Sequence, residues 1–347
     1  MKATVILLAF GEPKDPTLEE VQAYLEGIFE ANAALDGSSD PERRRGRSRQ
    51  LAERRAPGLL RAYREIGGSP MMKQSEALAR RLEAELHGRG LAIRVQLGTQ
   101  FWEPSIGSAL ARARLYDPER LIALPLYPLC GPSTTIGALA ALDAELKSSG
   151  WSIEPAAISG WYLHPAYVQL RADAIRNAAV EAGVRPGEGG CVLLFSAHGI
   201  PARYLEQGSR YVRYVEDCCR RVAAAVEVES YALGYQNHSN RGIPWTEPEV
   251  EQVVRELNAE HVLVDAISFM HEQSETLSEL DHELRRVAES AGVTFHRVPI
   301  PHDDERFVEL LADLVQTLAR EPTASDPLLR RCSCCPDSAA WCVGAGR

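Results

Sequence analysis

LLFSAHGIP, residues 193–201, is the stretch on which the interpretation of this sequence depends. Its first half is continuously apolar, as expected for a strand in a sheet that is covered on both faces. It then reads Ser-Ala-His-Gly, so the strand delivers the imidazole of His198 to the loop at its carboxyl end. In doubly wound parallel sheets this end binds ligands, which makes His198 a candidate functional residue. A hydrogen-bonded structural histidine is the alternative.

Short apolar runs of this kind recur along the chain, and amphipathic helical patterns such as SEALARRLEAELHG (75–88) separate them. The predicted strands are TVILLAF (4–10), AIRVQLGTQ (92–100), RLIALPLYP (120–128), CVLLFSA (191–197), VESYALGYQ (228–236), HVLVDAISF (261–269) and TFHRVPI (294–300). Strands that alternate with helices predict parallel sheets with crossover helices. The fold class is therefore α/β, with two doubly wound, Rossmann-like lobes and a ligand cleft between them.

The division between the lobes is placed where Gly, Ser and Pro accumulate, in KSSGWSIEPAAISGW. We predict an amino-terminal lobe over residues 1–148 and a carboxyl-terminal lobe over 149–303. A helix over 304–322 is expected to pack back on the first lobe. Residues 323–347 form a cysteine-rich tail.

Composition and charge exclude several classes of protein. The 347 residues are 45% apolar and 25% charged, which is typical of a globular chain, and the net charge is −10. A nucleic-acid binder needs a basic face, so that class is disfavoured. The first apolar run is too short to span a membrane and lacks the flanks of a signal peptide, which favours a cytoplasmic protein. Peripheral contact with a membrane stays open.

Residues 35–58, LDGSSDPERRRGRSRQLAERRAPG, are rich in arginine and turn-forming residues. We interpret them as a solvated loop or a mobile lid. The alternative is an electrostatic contact with an anionic ligand or a lipid surface.

The sequence lacks the common nucleotide-binding motifs. No G-x-G-x-x-G follows the first predicted strand, and no G-x-x-x-x-G-K-[ST] occurs. CGPSTTIGA (130–138) follows a strand and opens a helix, so its backbone N–H groups and hydroxyls are suited to hold an anion. Equally, Ser133 or Thr134 can act as an ordinary N-cap of that helix.

The stretch MHEQSETLSELDHELRRVAESAG (270–292) predicts a helix directly after the strand HVLVDAISF. Glu275, Glu279 and Glu283 are spaced by four, so they line one face, and they align better where the helix widens to a π-helix. Same-sign neighbours at this spacing destabilise a helix slightly, so the row is unusual. It begins at a strand end that points into the same cleft as His198. Imidazole facing carboxylates suits a borderline divalent metal such as Fe²⁺.

Together, LLFSAHGIP and SETLSELDHE resemble the two signature segments of the ferrochelatases, which insert Fe²⁺ into a porphyrin in haem synthesis. Each segment alone is a weak signal. The resemblance covers most of the chain and extends to ILLAFGEP (6–13), YREIGGSP (63–70), LPLYPLCGPSTTIGAL (124–139), WYLHPAY (161–167) and YQNHSNRGIPW (235–245).

The resemblance implies a role for each matching residue. His198 matches the family's invariant histidine, and Glu275 matches the glutamate that faces it at the point of metal insertion. Glu279 and Glu283 match the acidic path along the helix. The residues that match porphyrin-binding segments are Tyr63, Arg64, Ser133, Thr134 and Thr135. No tyrosine follows GEP, whereas forms that act on coproporphyrin III often carry one, and this favours protoporphyrin IX as the substrate.

The tail sequence RRCSCCPDSAAWC (330–342) concentrates four cysteines. Structural zinc is usually bound by two separated pairs of cysteines. Bound zinc and free thiols are the alternatives to an iron–sulfur cluster on these cysteines. Some ferrochelatases carry a [2Fe–2S] cluster on carboxyl-terminal cysteines, and four thiolates are what such a cluster needs. The implied ligands are Cys332, Cys334, Cys335 and Cys342, with Cys130 as the alternative fourth ligand.

The function predicted from these residues is a ferrochelatase, a lyase with porphyrin and ferrous iron as its substrates. One alternative is a chelatase for another metal or tetrapyrrole, since His238, His271 and His282 offer further ligands. The other is a haem or porphyrin carrier without turnover, which has no need of an acidic row. The sequence does not distinguish a monomer from a homodimer.

Overall fold

The computed structural model describes residues 2–32, 40–237, 243–320, 322, 326–332 and 340–344. Its strands are β1 (Ala3–Ala9), β2 (Ile93–Thr99), β3 (Arg120–Pro125), β4 (Ala156–Gly160), β5 (Cys191–His198), β6 (Ala232–Gln236), β7 (His261–Asp265), β8 (Thr294–Arg297), β9 (Leu329–Arg331) and β10 (Trp341–Val343).

The helices lie between the strands and cover both sheets. They are α1 (Leu18–Ala31), α2 (Pro41–Glu65), α3 (Met71–Gly88), α4 (Ile106–Tyr116), α5 (Gly137–Ser149), α6 (Pro165–Ala182), α7 (Ala202–Glu206), α8 (Tyr211–Val226), α9 (Val250–Glu256), α10 (Arg285–Ser290) and α11 (Glu305–Ala319). Two further segments are π-helical, Pro132–Ile136 and Glu275–Leu284. None of the described helices is both long enough and apolar enough to cross a membrane.

Two sheets organise the described residues. The first has the order β2-β1-β3-β4-β10-β9, and the second has the order β6-β5-β7-β8. All pairings are parallel except that of β10 with β9. Every residue of β1 is buried, because β1 lies between two strands and under helices on both faces. The predicted α/β fold with parallel sheets is confirmed, and each of the seven predicted strands is present.

Three strands were not predicted. The Gly- and Pro-rich stretch interpreted as the division between lobes contains β4, which pairs with β3 through Ile122 and Ala123. The first sheet therefore continues past residue 148, the predicted end of the first lobe. The tail adds β9 and β10, with β10 against β4. These strands have three to five residues, too few for a clear apolar pattern.

The prediction of a loop over residues 35–58 is wrong for residues 41–58, which belong to α2. Asp40 caps this helix by accepting a 3.0 Å hydrogen bond from Glu42 N, and Pro41 occupies the first turn, where its missing N–H costs nothing. The buried face consists of Ser48, Ala52, Ala56, Leu60 and Tyr63. These side chains are mostly small, so arginine dominates the sequence and hides the helical spacing. Residues 33–39 lie outside the described residues.

Helix α11 contacts α3 and β3, which precede the predicted boundary, and α6, which follows it. Its buried Phe307 lies 5.9 Å from the ring of Trp161, measured between ring centroids. At the end of α3, Arg89 forms a 2.6 Å ion pair with Asp313 of α11. The helix therefore joins elements that precede and follow the predicted boundary.

Candidate active site

His198 is the last residue of β5, at the carboxyl edge of the second sheet. Its backbone N–H donates to Ser268 Oγ at 2.9 Å, and its carbonyl accepts from Tyr211 Oη at 3.0 Å. The imidazole lies near two aromatic rings, with centroids 6.5 Å from Trp245 and 6.3 Å from Phe269. The strand end and the aromatic neighbours thus fix where the ring lies.

The carboxylate of Glu275 faces this imidazole. Its Oε1 lies 3.2 Å from His198 Nε2, and the two side chains are 25% and 33% exposed, so both remain accessible to a small ligand. Gln273 Nε2 donates to the other carboxylate oxygen, Oε2, at 2.7 Å. The structure therefore brings together the two residues that the sequence selected from segments almost eighty residues apart.

Glu275 is the first residue of the π-helix Glu275–Leu284, which we call the acidic π-helix. In an α-helix, residues four apart are offset by about 40° around the axis, and the wider π turn reduces this offset. Glu279 is half-buried and Glu283 is exposed, so the row of carboxylates runs from the imidazole to solvent.

Burial and mutual repulsion set the electrostatics of this row. Burial raises the pKa of Glu279 to about 8, and the charges of Glu275 and Glu283 add to that increase, while His198 and a hydrogen bond from Gln236 oppose it. Burial also raises the pKa of Glu283. With a pKa of about 8, Glu279 holds a proton near neutral pH and releases it when a cation approaches.

Gln236 is a site residue that the sequence did not identify individually. It ends β6, next to β5, and its Nε2 donates to Glu275 O at 3.0 Å and to Glu279 Oε2 at 3.1 Å. Its Oε1 accepts from Ser196 Oγ at 3.0 Å. The available signal was its place at the carboxyl end of a predicted strand.

Arg55 brings a positive charge to the acidic π-helix from α2. Burial lowers the pKa of its guanidinium, and the nearby charges of Glu279 and Glu275 act in the opposite direction. The guanidinium lies 5.8 Å from the centroid of the Phe29 ring. Sequence reasoning missed Arg55 because it placed this segment in a loop.

Glu12 was also missed, although ILLAFGEP was noted. Only 3% of it is exposed, and its carboxylate accepts hydrogen bonds from Tyr63, Ser69 and Ser274. Tyr63 is therefore buried beneath the site and bound to Glu12, and Arg64 is exposed in the last turn of α2. The available signal for Glu12 was its position just after β1, at the carboxyl end of a strand, as for His198.

A cavity of about 810 Å³ opens beside the π-helical turn Pro132–Ile136. Phe101, Trp102 and Tyr204 line it together with Gln100 and Ser133. Aromatic walls with a few polar groups are typical of a site for a flat organic ligand.

The alternative N-cap role for Ser133 or Thr134 is wrong. The residue that precedes the turn is Gly131, and no side chain caps it, because the backbone widens into a π turn that continues into α5. Ser133 Oγ instead donates to Asn32 Oδ1 at 2.7 Å. Thr134 is half-buried. Thr135 is buried, and its hydroxyl has no hydrogen-bond partner among the described residues.

Two of the predicted cluster ligands, Cys334 and Cys335, lie outside the described residues. Cys332 and Cys342 are buried on the β9–β10 ribbon, and Cys130 is buried as well. Cys342 pairs with Gly160, where a β-carbon would lie 3.6 Å from that of Cys130. Within the described ranges, no three His, Cys, Asp or Glu side chains are grouped closely enough to hold a metal ion.

Of the three histidines that kept another metal chelatase open, His271 and His282 lie among the described residues. His271 is buried, and burial lowers its pKa to about 3. His282 lies on the acidic π-helix, one residue before Glu283. His238 lies outside the described residues.

Comparison with solved structures defines the class of fold. The sirohydrochlorin chelatase SirB from Bacillus subtilis subspecies spizizenii, solved in complex with cobalt, superposes with a TM-score of 0.50. The identity is 12%, over 94% of this chain and 98% of that chain. The two-sheet architecture described above is therefore the fold of a chelatase.

Sequence comparison then identifies the family. The ferrochelatase family profile matches residues 2–319. Ferrochelatase from Thermosynechococcus vestitus (strain NIES-2133 / IAM M-273 / BP-1) is 34% identical over 92% of this chain and 82% of the relative. Ferrochelatase from Synechococcus sp. (strain JA-2-3B'a(2-13)) is 35% identical over 94% of this chain and 95% of the relative. The chain belongs to the ferrochelatase family, and the prediction of a metal-chelating enzyme is confirmed.

Proposed function

We propose that this protein inserts Fe²⁺ into a porphyrin, with His198 and Glu275 on either side of the metal-insertion point. The observation that carries the proposal is the 3.2 Å approach of His198 Nε2 to Glu275 Oε1 at the inner end of a row of carboxylates. Membership of the ferrochelatase family supplies the class of reaction.

Metal insertion replaces two pyrrole protons by one divalent ion. In its neutral form His198 accepts one of these protons, because imidazole is the side-chain type whose ordinary pKa lies nearest neutral pH. Glu275, opposite it, ligates the incoming Fe²⁺ or accepts the second proton. Both groups are partly exposed, as contact with a macrocycle requires.

The acidic π-helix connects this point to solvent. Glu279 and Glu283 bind the hydrated ion by their carboxylates and pass it inwards, and protons leave by the same row. The raised pKa of Glu279, about 8, supports this role, because such a group exchanges a proton for a cation near neutral pH.

The porphyrin itself is proposed to bind between the two sheets. Ser133 lines the aromatic cavity, and Thr134 and Thr135 follow it in the same π-helical turn. Arg55 provides a cation for the carboxylate groups of the macrocycle. Tyr63 acts through its bond to Glu12 rather than by direct contact, and Arg64, in the last turn of α2, is available for a propionate. Protoporphyrin IX remains the favoured substrate over coproporphyrin III.

A [2Fe–2S] cluster on the tail is the proposed resident cofactor, with ligands drawn from Cys332, Cys334, Cys335, Cys342 and Cys130. Alternation along the β9–β10 ribbon puts Cys332 and Cys342 on one face, and the neighbouring Gly160 leaves room there beside Cys130. This placement supports Cys130 as one ligand. When bound, such a cluster transfers single electrons or ties the tail to the sheet.

The cluster has a direct test. Protein purified without oxygen should contain two iron and two acid-labile sulfide atoms per cluster and absorb in the visible range. We expect Cys342→Ser and Cys130→Ser to lose both, whereas Cys191→Ser, elsewhere in the fold, retains them. A zinc content of one per chain with no sulfide would contradict the proposal.

Peripheral contact with an anionic membrane is proposed through the first half of α2, where Arg43, Arg45, Arg47 and Arg49 are all exposed. Basic helices bind acidic lipid surfaces in a salt-dependent way. Sedimentation with phosphatidylglycerol vesicles, and not with phosphatidylcholine vesicles, tests this, and Arg43→Glu with Arg45→Glu should abolish it. The cytoplasmic location and the state as monomer or homodimer stay predictions.

The experiment that tests the main proposal is anaerobic insertion of Fe²⁺ into protoporphyrin IX and coproporphyrin III, followed by the Soret band. Wild-type protein should form haem, and His198→Ala should not. Tight porphyrin binding without turnover in either protein would favour the carrier. Haem formation that is faster with coproporphyrin III would reverse the proposed substrate.

A further inference from the structure

Glu12 is a buried carboxylate outside the row that carries metal and protons. It lies in the loop that follows β1, and only 3% of the residue is exposed. Burying a carboxylate is costly unless hydrogen bonds compensate the loss of water. The hydrogen bonds of Glu12, next to the candidate active site, must therefore compensate the cost of its burial.

The carboxylate joins three segments of the chain. Tyr63 Oη, from the end of α2, donates to Oε1 at 2.9 Å. Ser69 Oγ, from the loop between α2 and α3, donates to Oε2. Ser274 donates through its hydroxyl and through its backbone N–H, which lies 3.3 Å from Oε1 and 3.2 Å from Oε2. Burial raises the pKa of this carboxyl, and the hydrogen bonds from Ser274, Ser69 and Tyr63 act in the opposite direction.

The bonds to Ser274 connect the loop after β1, in the first sheet, to the start of the acidic π-helix, which follows β7 of the second sheet. Ser274 is the residue immediately before Glu275, and its side chain makes no capping bond within its own helix. The first N–H groups of a helix have no partner inside it, and a negative charge there is favourable. Glu12 supplies an acceptor for the Ser274 N–H from 262 residues away in sequence.

The loop that carries Glu12 is itself held in place. Gly11 has φ +85°, and a β-carbon there would lie 2.5 Å from Thr99 Oγ1. Ser69 N donates to Lys14 O at 2.9 Å, and Gly68 allows this close approach with φ +93°. These contacts restrict movement of the loop that carries Glu12, so its carboxylate is a fixed point to which Ser274 is bonded.

We infer that Glu12 is a positioning residue for metal insertion, which fixes Glu275 opposite His198 by holding Ser274 from the first sheet. Glu12 does not touch the reacting atoms, because hydroxyl and amide donors occupy its oxygens. This inference rests on the proposed function for the role of the pair, while the contacts of Glu12 do not depend on it.

The test compares two variants of Glu12. Glu12→Ala removes the acceptor, and we expect kcat for Fe²⁺ insertion to fall about 10- to 100-fold, the usual range for a residue that orients a ligand. The KM for porphyrin should change less than about twofold. Glu12→Gln keeps an amide oxygen that accepts from Ser274 N–H, and the hydroxyls of Tyr63 and Ser69 can rotate, so this variant should recover most of the activity.

A second variant keeps the test decisive if Glu12→Ala does not fold. Ser274→Ala removes one of the two groups held by Glu12, and kcat should fall in the same direction by a smaller factor. Binding of Co²⁺ to the protein without porphyrin, followed by its visible absorption, provides a readout other than turnover. Its Kd should increase about tenfold in Glu12→Ala and recover in Glu12→Gln.

The outcomes separate this inference from the proposed function. If Glu12→Gln is as inactive as Glu12→Ala, Glu12 exchanges protons itself and the positioning role is wrong. Unchanged kcat and unchanged Co²⁺ affinity in Glu12→Ala also overturn it. A wild-type protein that inserts no metal overturns the proposed function, and the Co²⁺ titration still measures whether Glu12 positions Glu275.

Discussion

Two helices of opposite charge lie against each other at the candidate active site. The acidic π-helix carries Glu275, Glu279 and Glu283 at a spacing of four, and α2 carries nine arginines in 25 residues. The acidic row begins half-buried, and the pKa of Glu279 is raised to about 8. Most arginines of α2 are exposed; Arg44 and Arg55 are half-buried, and burial lowers the pKa of Arg55. Burial, and not the density of charge, thus distinguishes Glu279 and Arg55, two side chains with shifted pKa values, from the charged residues around them.

The largest effect expected is at the inner end of the acidic row. Replacing His198 by Ala removes the group opposite Glu275, and a lost acid–base group costs about 10²- to 10⁴-fold in kcat. His87→Ala, at an exposed position on α3, is the matched control and should keep full activity. Rates of haem formation measure both. Equal rates of haem formation in His198→Ala and His87→Ala would show that His198 does not take part in metal insertion.

The next effect concerns the middle of the row. Glu279→Gln should lower kcat about tenfold and leave porphyrin binding unchanged, because Glu279 is proposed to carry metal and protons and not to hold the macrocycle. In wild-type protein the rate should rise with pH through about 8, as Glu279 loses its proton, and the variant should lose this rise. Glu289→Gln, exposed on α10, is the control. A carrier would bind porphyrin equally in all three proteins and show no turnover.

A smaller effect is expected from α2. Arg55→Gln should increase the KM for porphyrin about tenfold with little change in kcat, since an ion pair with a substrate carboxylate is lost. The exposed neighbour Arg54 provides the matched variant, Arg54→Gln, which should behave as wild type. If both substitutions increase the KM for porphyrin equally, the overall positive charge of α2 binds the porphyrin, and Arg55 makes no specific contact with it.

The smallest effect is on stability. The pKa of Glu279 is higher in the folded protein, about 8, than its ordinary value of 4.5, so its ionisation destabilises the fold as pH rises from 4.5 through 8. Glu279→Gln should therefore raise the unfolding temperature at pH 9 by about 2 °C or more, and should leave it unchanged at pH 4. Thermal unfolding at the two pH values measures this. An equal shift at both would reflect packing and not charge.

The parts of the fold that the sequence predicted are those with long apolar runs. The strands that carry His198 and Gln236 are recognisable because the covered sheet requires apolar side chains at nearly every position. The acidic row is recognisable because its spacing is regular. Helix α2 is not, because Ala52 and Ala56 pack closely against α1 and leave little apolar signal.

The contacts that complete the site depend on distant parts of the chain. Nothing near Glu12 in the sequence indicates that Ser274 will meet it, since the contact forms only when the two sheets have come together. The same holds for Arg55, whose charge matters only because α2 packs beside the acidic π-helix. Local sequence patterns predict which residues lie at the carboxyl edge of a sheet. They do not predict which residues from distant parts of the chain contact them there.

The pairing of β10 with β4 has a consequence for how the chain folds during synthesis. Cys342 lies beside Gly160, so one edge of β4 is covered only by residues at the very end of the described chain. A ribosome adds about 5–20 residues per second, so this edge stays open for roughly 10–40 s after β4 has been made. Unpaired edges recruit other strands, and a chain that stops before β10 leaves this one open permanently. We therefore expect a chain that ends before β10 to aggregate more readily than one that contains it.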